Sequence, residues 1–306
     1  MKCAIVYNPD DRKLLESSYS QTYRDMFIAL CNRFQKVFHI TKSCSATDID
    51  AEVIIFYDVH SNYDITIDGI KNHKAIKYEY FNDPHQVEQD FTRNGNTVHK
   101  LGAEQRTKRA NSRSVKYIIC PTKAGFSKYI KPYSEAELVW FPVAPHKRLG
   151  TVLPLNQRKP EVLANGNIWE GENGFSPYKF RAWAFRQPSI KMKKIVKIGN
   201  QYQQWLSAYA GALALCDNYV VAKYLEVPLA GCVCFAQKLP EYEEMGFKDW
   251  DNCIFVDRNN FTKTIDDFKN NISAYQDIAD RGKITANNWT ADKFADFIYR
   301  HALDNN

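Results

Sequence analysis

Residues 223–247, KYLEVPLAGCVCFAQKLPEYEEMGF, decide the fold class of this chain. The first residues favour a short helix that carries Glu226, and the break from Pro228 to Gly231 ends it. The apolar run Cys232–Phe235 follows and has the length of a buried strand. A helix, a glycine turn and a solid apolar strand in this order are typical of an α/β sheet with parallel strands.

The same alternation extends along the whole chain. The runs Val53–Tyr57 and Ile76–Phe81 in the first half, and Val162–Ala164 and Ala212–Cys216 in the second, alternate with segments of helical spacing. Because short, solidly apolar strands separated by helices indicate strands buried on both faces, the sequence predicts two Rossmann-like, doubly wound parallel-sheet domains that face a cleft.

A boundary is expected near the middle of the chain. Residues 148–160 are basic, contain Gly and Pro and lack periodicity, as is typical of an interdomain linker. The sequence therefore predicts a first domain over residues 1–147, a linker over 148–160 and a second domain over 161–306. The last helix is free to pack back on the first domain.

Composition narrows the class of protein. The 306 residues suffice for two domains, and 44% hydrophobic with 25% charged residues is a globular balance. No apolar run reaches the ~18 residues of a membrane helix, and the N-terminus lacks the apolar segment of a signal peptide. The eight scattered cysteines favour reduced thiols. We expect a cytoplasmic protein, in the host cytoplasm if the source is a virus, without membrane insertion.

The net charge of +6 is mildly basic. It lies short of the strongly basic domain of a dedicated nucleic-acid binder, and it suits either a protein with phosphorylated partners or an ordinary basic enzyme. One basic cluster stands out in the first half, namely Arg106, Lys108, Arg109 and Arg113. It forms either an acceptor-binding or DNA-binding track or a solvated face.

The second half holds candidates for nucleotide binding. Glu226 has two oxygens to accept hydrogen bonds from a ribose diol, and Lys223, one helical turn earlier, adds a charge for a diphosphate. The alternative is a solvated pair on a helix surface. Residues 217–221 are expected to form the first turn of this helix and to offer free N–H groups. Further candidates follow strand ends or lie in the next helix: Gly166, Asn167, Arg181, Gly199, Asn200, Asp217, Asn218 and Tyr219. Tyr202 is expected to be a core residue.

The first half offers two places for catalytic groups. Asp58 and His60 follow one buried strand, and Asp83 and His85 follow the next. Because the carboxyl ends of parallel strands face the ligand crevice, these groups are candidates to accept a proton or orient a sugar; the alternative is structural or surface histidines. The triplets at residues 48–50 and 249–251 precede strands, at the wrong edge for a catalytic metal, so no obligatory metal or cofactor is expected.

The chain resembles two-domain (GT-B) glycosyltransferases, most closely the subgroup akin to spore-maturation-protein-like enzymes. Residues 223–247 are similar to that subgroup's K-x-[FY]-E-[IV]-P helix, apolar strand and acidic P-E-x-E-E loop. The segments NDPH at 82–85 and VWFPVAPHK at 139–147 are similar to its acceptor domain. The resemblance implies a donor site in the second domain and an acceptor site in the first.

The resemblance also assigns roles. Glu226 falls where such enzymes hold the nucleotide ribose, and Gly166, Tyr178 and Arg181 match a strand–glycine–loop–helix stretch beside the donor. Retaining relatives often have a second glutamate eight residues before the first, and here that position is Asn218.

The expected function is therefore a retaining hexosyl- or pentosyltransferase. It would move a sugar from a nucleotide-diphosphate sugar, with a UDP-sugar favoured, to a hydroxyl acceptor. The favoured acceptor is a hydroxymethylated base in duplex phage DNA. One alternative is a cell-surface or spore glycan. Another is a non-catalytic nucleotide- or nucleic-acid-binding module on a degenerate transferase fold.

Overall fold

The structure, a computed structural model, describes residues 1–11, 13–16, 21–59, 65–84, 89–93, 96–147, 152–168, 178–193 and 199–306. The chain divides into two compact units. The first unit comprises Met1–Ser18, Tyr23–Pro142 and Asp292–Asn306, and the second comprises Tyr19–Thr22 and Val143–Ala291.

The strands of the first unit are β1 (Lys2–Val6), β2 (Lys36–Ile40), β3 (Cys44–Ser45), β4 (Val53–Asp58), β5 (Ile67–Asp68), β6 (Ile76–Phe81), β7 (Gln89–Arg93), β8 (Asn96–Lys100), β9 (Tyr117–Cys120) and β10 (Glu137–Trp140). Six of the described strands form a parallel sheet in the order β10-β9-β6-β4-β1-β2. Strands β3 and β5 form a short parallel pair, and β7 and β8 form an antiparallel hairpin. Every residue of β4 and β9 is buried, as expected for central strands covered on both faces.

The strands of the second unit are β11 (Lys159–Ala164), β12 (Ile190–Met192), β13 (Tyr209–Ala214), β14 (Val233–Ala236) and β15 (Ile254–Phe255). The described strands form a parallel sheet in the order β12-β11-β13-β14-β15. Strands β13 and β14 are buried throughout, and Leu213, Phe235 and Phe268 belong to the apolar core of this unit.

The helices, in chain order, are α1 (Thr22–Arg33), α2 (Ala103–Ser112), α3 (Lys123–Gly125), α4 (Lys179–Ala184), α5 (Gly199–Ser207), α6 (Lys223–Leu229), α7 (Pro240–Glu244), α8 (Phe261–Asn270), α9 (Gln276–Ala286) and α10 (Ala291–Asp304). None of these described helices has the length and hydropathy needed to cross a bilayer. A π-helical turn, Phe126–Ile130, continues α3.

The last helix, α10, is fastened to the first unit. A hydrogen bond of 2.8 Å joins the Tyr78 hydroxyl to Nδ1 of His301, and the Tyr117 hydroxyl donates to Oδ1 of Asn305 at 2.8 Å. These bonds satisfy the hydroxyls of two tyrosines whose rings stack in the sheet, which explains why the chain ends on this unit.

The segment expected to be a linker differs in the structure. Leu155 is fully buried in the core of the second unit, and its N–H donates to Oε1 of Gln276 at 2.7 Å. Arg158 donates to the carbonyl oxygens of Leu153 and Ala230, and β11 begins at Lys159. The later part of residues 148–160 therefore belongs to the second unit, because a buried apolar side chain and backbone hydrogen bonds hold it there.

In both sheets the order in which successive strands are added reverses at one place. In the first unit the chain goes from β1 outward to β2 and then returns to β4 on the other side of β1. In the second unit the same reversal occurs around β11, between β12 and β13. In open α/β sheets, ligands bind outside the carboxyl ends of the strands at such a switch point. The switch point of the second unit is formed by the residues that follow Ala164 and Ala214.

Candidate functional site

The loop after β11 opens the switch point of the second unit. It begins with the half-buried Asn165 and continues through the exposed residues Gly166 and Asn167. Gly166 has φ +133°, a backbone conformation that side chains with a Cβ rarely adopt. A Cβ at this position would lie 3.1 Å from Cε of Lys223 and 3.7 Å from Nη1 of Arg181. The glycine therefore allows two cationic side chains to approach the backbone.

Lys223 lies at the first position of α6, with its ammonium group among polar side chains. Its Nζ donates to the Tyr202 hydroxyl at 2.6 Å and to Oδ1 of Asn165 at 3.3 Å. The pKa of Lys223 is lowered to about 8, mainly by burial and to a smaller extent by the positive charge of Arg181, while the negative charge of Glu226 opposes both. A lysine in this state is charged at neutral pH and gains from a bound anion.

Glu226 lies one helical turn after Lys223 on α6 and is half-buried. Its carboxylate acts electrostatically on both Lys223 and Tyr202, raising the pKa of each, so it belongs to the same site. The carboxylate therefore adds a negative charge and two hydrogen-bond acceptors to the surroundings of Lys223.

Arg181 is 4% exposed and lies on α4. Its Nε donates to the carbonyl oxygen of Leu215 at 2.7 Å, Nη2 donates to the same oxygen, and Nη1 donates to the carbonyl oxygen of Asn167 at 3.1 Å. Its guanidinium lies 3.8 Å from the ring centroid of Tyr178. Arg181 thus ties the loops after β11 and β13 together, while its charge stays beside Gly166. Its main contacts in this structure are with the protein backbone.

The loop after β13 carries three of the predicted residues. Asp217 accepts from the Lys179 N–H and from Nε2 of Gln237, both at 2.8 Å, so each of its oxygens supports the fold. Asn218 is exposed and Tyr219 half-buried. The prediction that 217–221 form the first turn of a helix was wrong, because α6 begins only at Lys223. An N–H-lined helix start at 217–221 therefore plays no part in the site.

Gly199 and Asn200 also differ from their predicted setting. They were expected at a strand end, and the structure places them in the first turn of α5. The strand expected before them covers residues 195–198, which lie outside the described residues.

Two residues of the site were missed in the sequence. Tyr202 was assigned to the core, yet its hydroxyl accepts the hydrogen bond from Lys223, and Asn165 holds Lys223 from the other side. Asn165 is the first residue after β11, so its place at the strand end was a signal in itself. For Tyr202 the sequence carried no comparable signal, because the helical spacing of this tyrosine with Trp205 and Leu206 predicts a side chain packed in the core. Lys223, Arg181, Tyr202, Asn165 and Gly166 thus lie together at the switch point and bring two cations to one stretch of backbone.

The basic cluster of the first unit is not an exposed track. Arg106 is 1% exposed, donates to the carbonyl oxygens of Asn82 at 2.7 Å and Asp58 at 3.0 Å, and stacks 3.8 Å from the ring centroid of Phe81. Burial lowers the pKa of Arg106, with Asp58 as the main opposing charge. The prediction of an exposed basic face was wrong for this residue, because its guanidinium is buried and hydrogen-bonds to backbone carbonyl groups.

Two further arginines of the cluster form buried ion pairs. Arg109 pairs with Asp58 and lies 3.5 Å from Glu79, and Arg113 pairs with Glu79 at 3.2 Å. The side chains of both acids have no exposed surface. Positions 106 and 109 share one face of α2, Arg113 follows directly after the helix, and the ion pairs hold this face against β4 and β6. Lys108 lies off this face, is exposed and pairs with Glu104 at 2.6 Å.

The two predicted aspartates lie at the carboxyl ends of the neighbouring strands β4 and β6, as expected, but Asp58 is not accessible. Asp58 is buried at the carboxyl end of β4, and its Oδ1 has no hydrogen-bond partner in the described part of the chain. Asp83 has φ +47°, accepts from Nδ2 of Asn82 at 2.7 Å and lies 3.6 Å from Nζ of Lys13. His60 and His85 lie outside the described residues. A buried, ion-paired Asp58 acts as an anchor for α2 rather than as an accessible base.

The Asp-x-Asp triplets are engaged in local structure. Asp50 pairs with Lys2 at 2.6 Å, and Asp251 pairs with Arg281 at 2.9 Å. Oδ1 of Asp249 accepts from the Phe255 N–H at 2.8 Å. Over the described ranges, no group of three or more His, Cys, Asp and Glu side chains is placed to hold a metal ion.

No protein-family model matches the sequence, and no curated protein matches it either. Solved structures match the fold. HepE of Anabaena, in complex with UDP, is 10% identical, with 99% of this chain and 100% of that chain covered and a TM-score of 0.60. The DNA-modifying enzyme β-glucosyltransferase is 16% identical, with 99% and 100% covered and a TM-score of 0.57.

Longer proteins match less well. The GtfA/B complex is 13% identical, with 93% of this chain and 60% of that chain covered and a TM-score of 0.45, so this chain spans little more than half of it. The matched structures are GT-B glycosyltransferases. At this level of identity the likeness concerns the fold. The chain therefore has the mixed α/β fold of two Rossmann-like, parallel-sheet domains found in GT-B glycosyltransferases.

Proposed function

We propose that the chain is a glycosyltransferase that binds a UDP-sugar in its second unit and transfers the sugar to a hydroxyl group. The observation that carries this proposal is the arrangement of Lys223 and Arg181 around the backbone of Gly166, at the switch point of the sheet. Full-length similarity in fold to HepE, which was solved with UDP and with UDP-glucose, supports the choice of donor.

The chemistry of the leaving group fits these side chains. Breaking the glycosidic bond leaves a nucleoside diphosphate with one more negative charge at the bridging oxygen. A fixed cation near this oxygen lowers the energy of the transition state more than that of the bound donor. Lys223 supplies that charge as an ammonium group with three N–H donors. Two of them donate hydrogen bonds to Tyr202 and Asn165. The remaining donor is left for a phosphate oxygen.

Arg181 has a supporting role in this proposal. Three of its hydrogen bonds fix the loops after β11 and β13, so it sets the position of the backbone that the diphosphate would contact. Its charge adds to the field at Gly166. Glu226, one helical turn after Lys223 on α6, is the group we propose for the ribose diol.

A duplex DNA base with a hydroxymethyl group is the first acceptor to test. Its support is the similarity in fold to the DNA-modifying β-glucosyltransferase of phage T4, seen in two of its structures. The basic cluster gives less support than expected, because Arg106 and Arg113 are buried and only Lys108 is exposed among its four members. A cell-surface or spore glycan is the alternative acceptor, and it needs no basic track.

We propose a retaining reaction, as the resemblance implies. A retaining transfer needs no carboxylate in contact with the acceptor hydroxyl, and the buried Asp58 agrees with that requirement. The anomeric configuration of the product, read from the proton coupling constant by NMR, decides between retention and inversion. An inverted product would require a base other than the buried Asp58.

One experiment tests the proposal. The full chain is incubated with a panel of nucleotide sugars, together with duplex DNA containing 5-hydroxymethylcytosine or with neutral glycans, and the products are identified by mass spectrometry. We expect a mass increase of one sugar on an acceptor and release of UDP, both lost in Lys223→Ala. A chain that binds UDP yet neither transfers nor hydrolyses any donor would be a non-catalytic nucleotide-binding module.

A further inference from the structure

A second groove lies in the second unit, away from the switch point. It has a volume of about 480 Å³ and lies at the amino end of β15 and the carboxyl end of α8. The residues that shape it most are Trp250, Asp267, Asn270, Asn271, Tyr275 and Ile278. Its volume is within the ~300–1,000 Å³ of small-molecule sites.

An exposed indole forms one wall. Trp250 is 53% exposed, and its ring centroid lies 6.1 Å from that of Tyr275, at an angle of 40°. Tyr275 and Ile278 are each 8% exposed and form the floor on the apolar core. A broad, rigid indole above a fixed aromatic floor is the kind of surface on which a flat or ring-shaped ligand packs.

The indole is held outward by its loop. Trp250 has φ +57°, in the left-handed region that a bulky residue rarely adopts. The backbone N–H of Trp250 donates to the Cys253 carbonyl oxygen at 2.9 Å. On either side of it, Oδ1 of Asn252 accepts from the backbone N–H of Lys248 at 2.6 Å, and Asp251 pairs with Arg281. Strained residues that the surrounding structure holds in place cluster at ligand sites.

The rim is polar but not cationic. Asn270, Asn271 and Asp267 are exposed, and their side chains make no hydrogen bond or ion pair in the described part of the chain. Among the described residues that line the groove, none is Lys or Arg. A nucleic acid requires cations for its phosphates, so this lining disfavours it. Free amide and carboxylate groups suit a ligand with many hydroxyl groups.

We propose that this groove binds a neutral saccharide chain. The apolar face of a sugar ring would pack on the Trp250 indole, and its hydroxyl groups would hydrogen-bond to Asn270, Asn271 and Asp267. The site is independent of the proposed transfer reaction and lies at the other edge of the sheet from Lys223.

The test uses the full chain and four neutral hexasaccharides, built from β-1,4-glucose, α-1,4-glucose, β-1,4-xylose and β-1,4-N-acetylglucosamine. Binding is followed by tryptophan emission and by calorimetry. We expect at least one of them to bind with an affinity that does not change between 50 mM and 500 mM salt. Trp250→Ala should weaken it at least tenfold, and Trp250→Phe should retain most of it. Ile284→Ala, a control that removes another exposed apolar side chain, should bind as the wild type does.

Thermal unfolding gives a second readout. Trp250→Gly removes the indole and relieves the left-handed backbone, so it should abolish saccharide binding while a single cooperative unfolding transition remains. Failure of all four saccharides to bind at 10 mM overturns the proposal. The proposal is also overturned if Trp250→Ala loses single-stranded DNA binding or concentration-dependent self-association instead of saccharide binding. The occupant of the groove would then be a nucleic acid or a second copy of the chain.

Discussion

The Nζ atom of Lys223 lies 2.6 Å from the hydroxyl oxygen of Tyr202, on a different helix of the second unit. This bond fixes an ammonium group that burial makes easier to deprotonate. The pair joins α5 to α6 at the switch point of the sheet. The hydrogen bond holds the end of the flexible lysine side chain, so the ammonium group has a fixed position in the site.

Removing the tyrosine hydroxyl tests this relationship. Tyr202→Phe keeps the ring and leaves Lys223 with Asn165 as its remaining side-chain acceptor. One hydrogen bond contributes ~1 kcal/mol, so the affinity for UDP should fall about fivefold. Calorimetry measures the change, and Tyr299→Phe, in the other unit, is the control. Equal affinities for the two variants and the wild type would show that Tyr202 does not position Lys223.

The pH dependence of UDP binding should follow Lys223. Its pKa of about 8 means that the ammonium charge is lost as the pH rises through that value, so affinity should fall about tenfold or more by pH 9.5. Lys223→Arg stays charged and should keep its affinity across this range. A wild type whose affinity stays constant to pH 10 would contradict the assignment.

The same group has the opposite effect on stability. Between pH 8 and its ordinary pKa of 10.5, Lys223 keeps its proton in the unfolded chain and has lost it in the folded chain. The unfolded state therefore binds more protons, and the contribution of this residue to stability rises with pH in that window. Urea midpoints at pH 8 and 9.5, compared between wild type and Lys223→Met, measure this contribution.

Glu226 is expected to act on both the nucleotide and the lysine. Glu226→Ala removes an acceptor for the ribose diol, which costs ~1–3 kcal/mol and lowers UDP-sugar affinity roughly ten- to a hundredfold. Glu226→Gln keeps the shape but removes the charge that raises the pKa of Lys223. The fall in affinity with pH should then begin at a lower pH. If calorimetry gives wild-type affinity in Glu226→Ala for every donor that binds, the ribose role is wrong.

Gly166→Ala should disrupt the site through the backbone. The new Cβ would be 3.1 Å from Cε of Lys223, at a φ of +133° that alanine adopts only under strain. We expect a loss of ~1–3 kcal/mol in stability together with a fall in UDP affinity of more than tenfold. Gly69→Ala is the matched control. Gly69 also has a positive φ, of +77°, but it lies in the first unit with its nearest side-chain atom 3.8 Å away. It should lower stability without changing UDP affinity.

Two neighbouring residues of α2 should differ sharply in their effect on folding. Arg106→Ala leaves the carbonyl groups of Asn82 and Asp58 without their buried donor and should cost ~3–5 kcal/mol in the free energy of unfolding. Lys108→Ala, at an exposed position, should leave the urea midpoint unchanged and change the salt slope of any DNA binding by about one unit or less. Equal midpoints for the two variants would contradict the buried role of Arg106.

Much of the fold could be read from local pattern. The solid run Val53–Tyr57 became the central strand β4, because a strand covered on both faces needs apolar residues at successive positions. Ile76–Phe81 became the neighbouring strand β6, although it includes Lys77 and Glu79. The place of Lys223 and Glu226 on one short helix also followed from spacing. These features depend on residues that are close in the chain.

The partners of each side chain depended on tertiary structure. The spacing of Arg106, Arg109 and Arg113 shows that they share a helix face, but only the position of α2 against β4 and β6 brings that face to Asp58 and Glu79. In the same way, Tyr202 meets Lys223 across 21 residues of sequence because the fold brings the ends of their side chains together. Local composition determined which residues form strands and helices. Burial and charge pairing, set by contacts between distant segments, determined which cations serve the fold and which remain for a ligand.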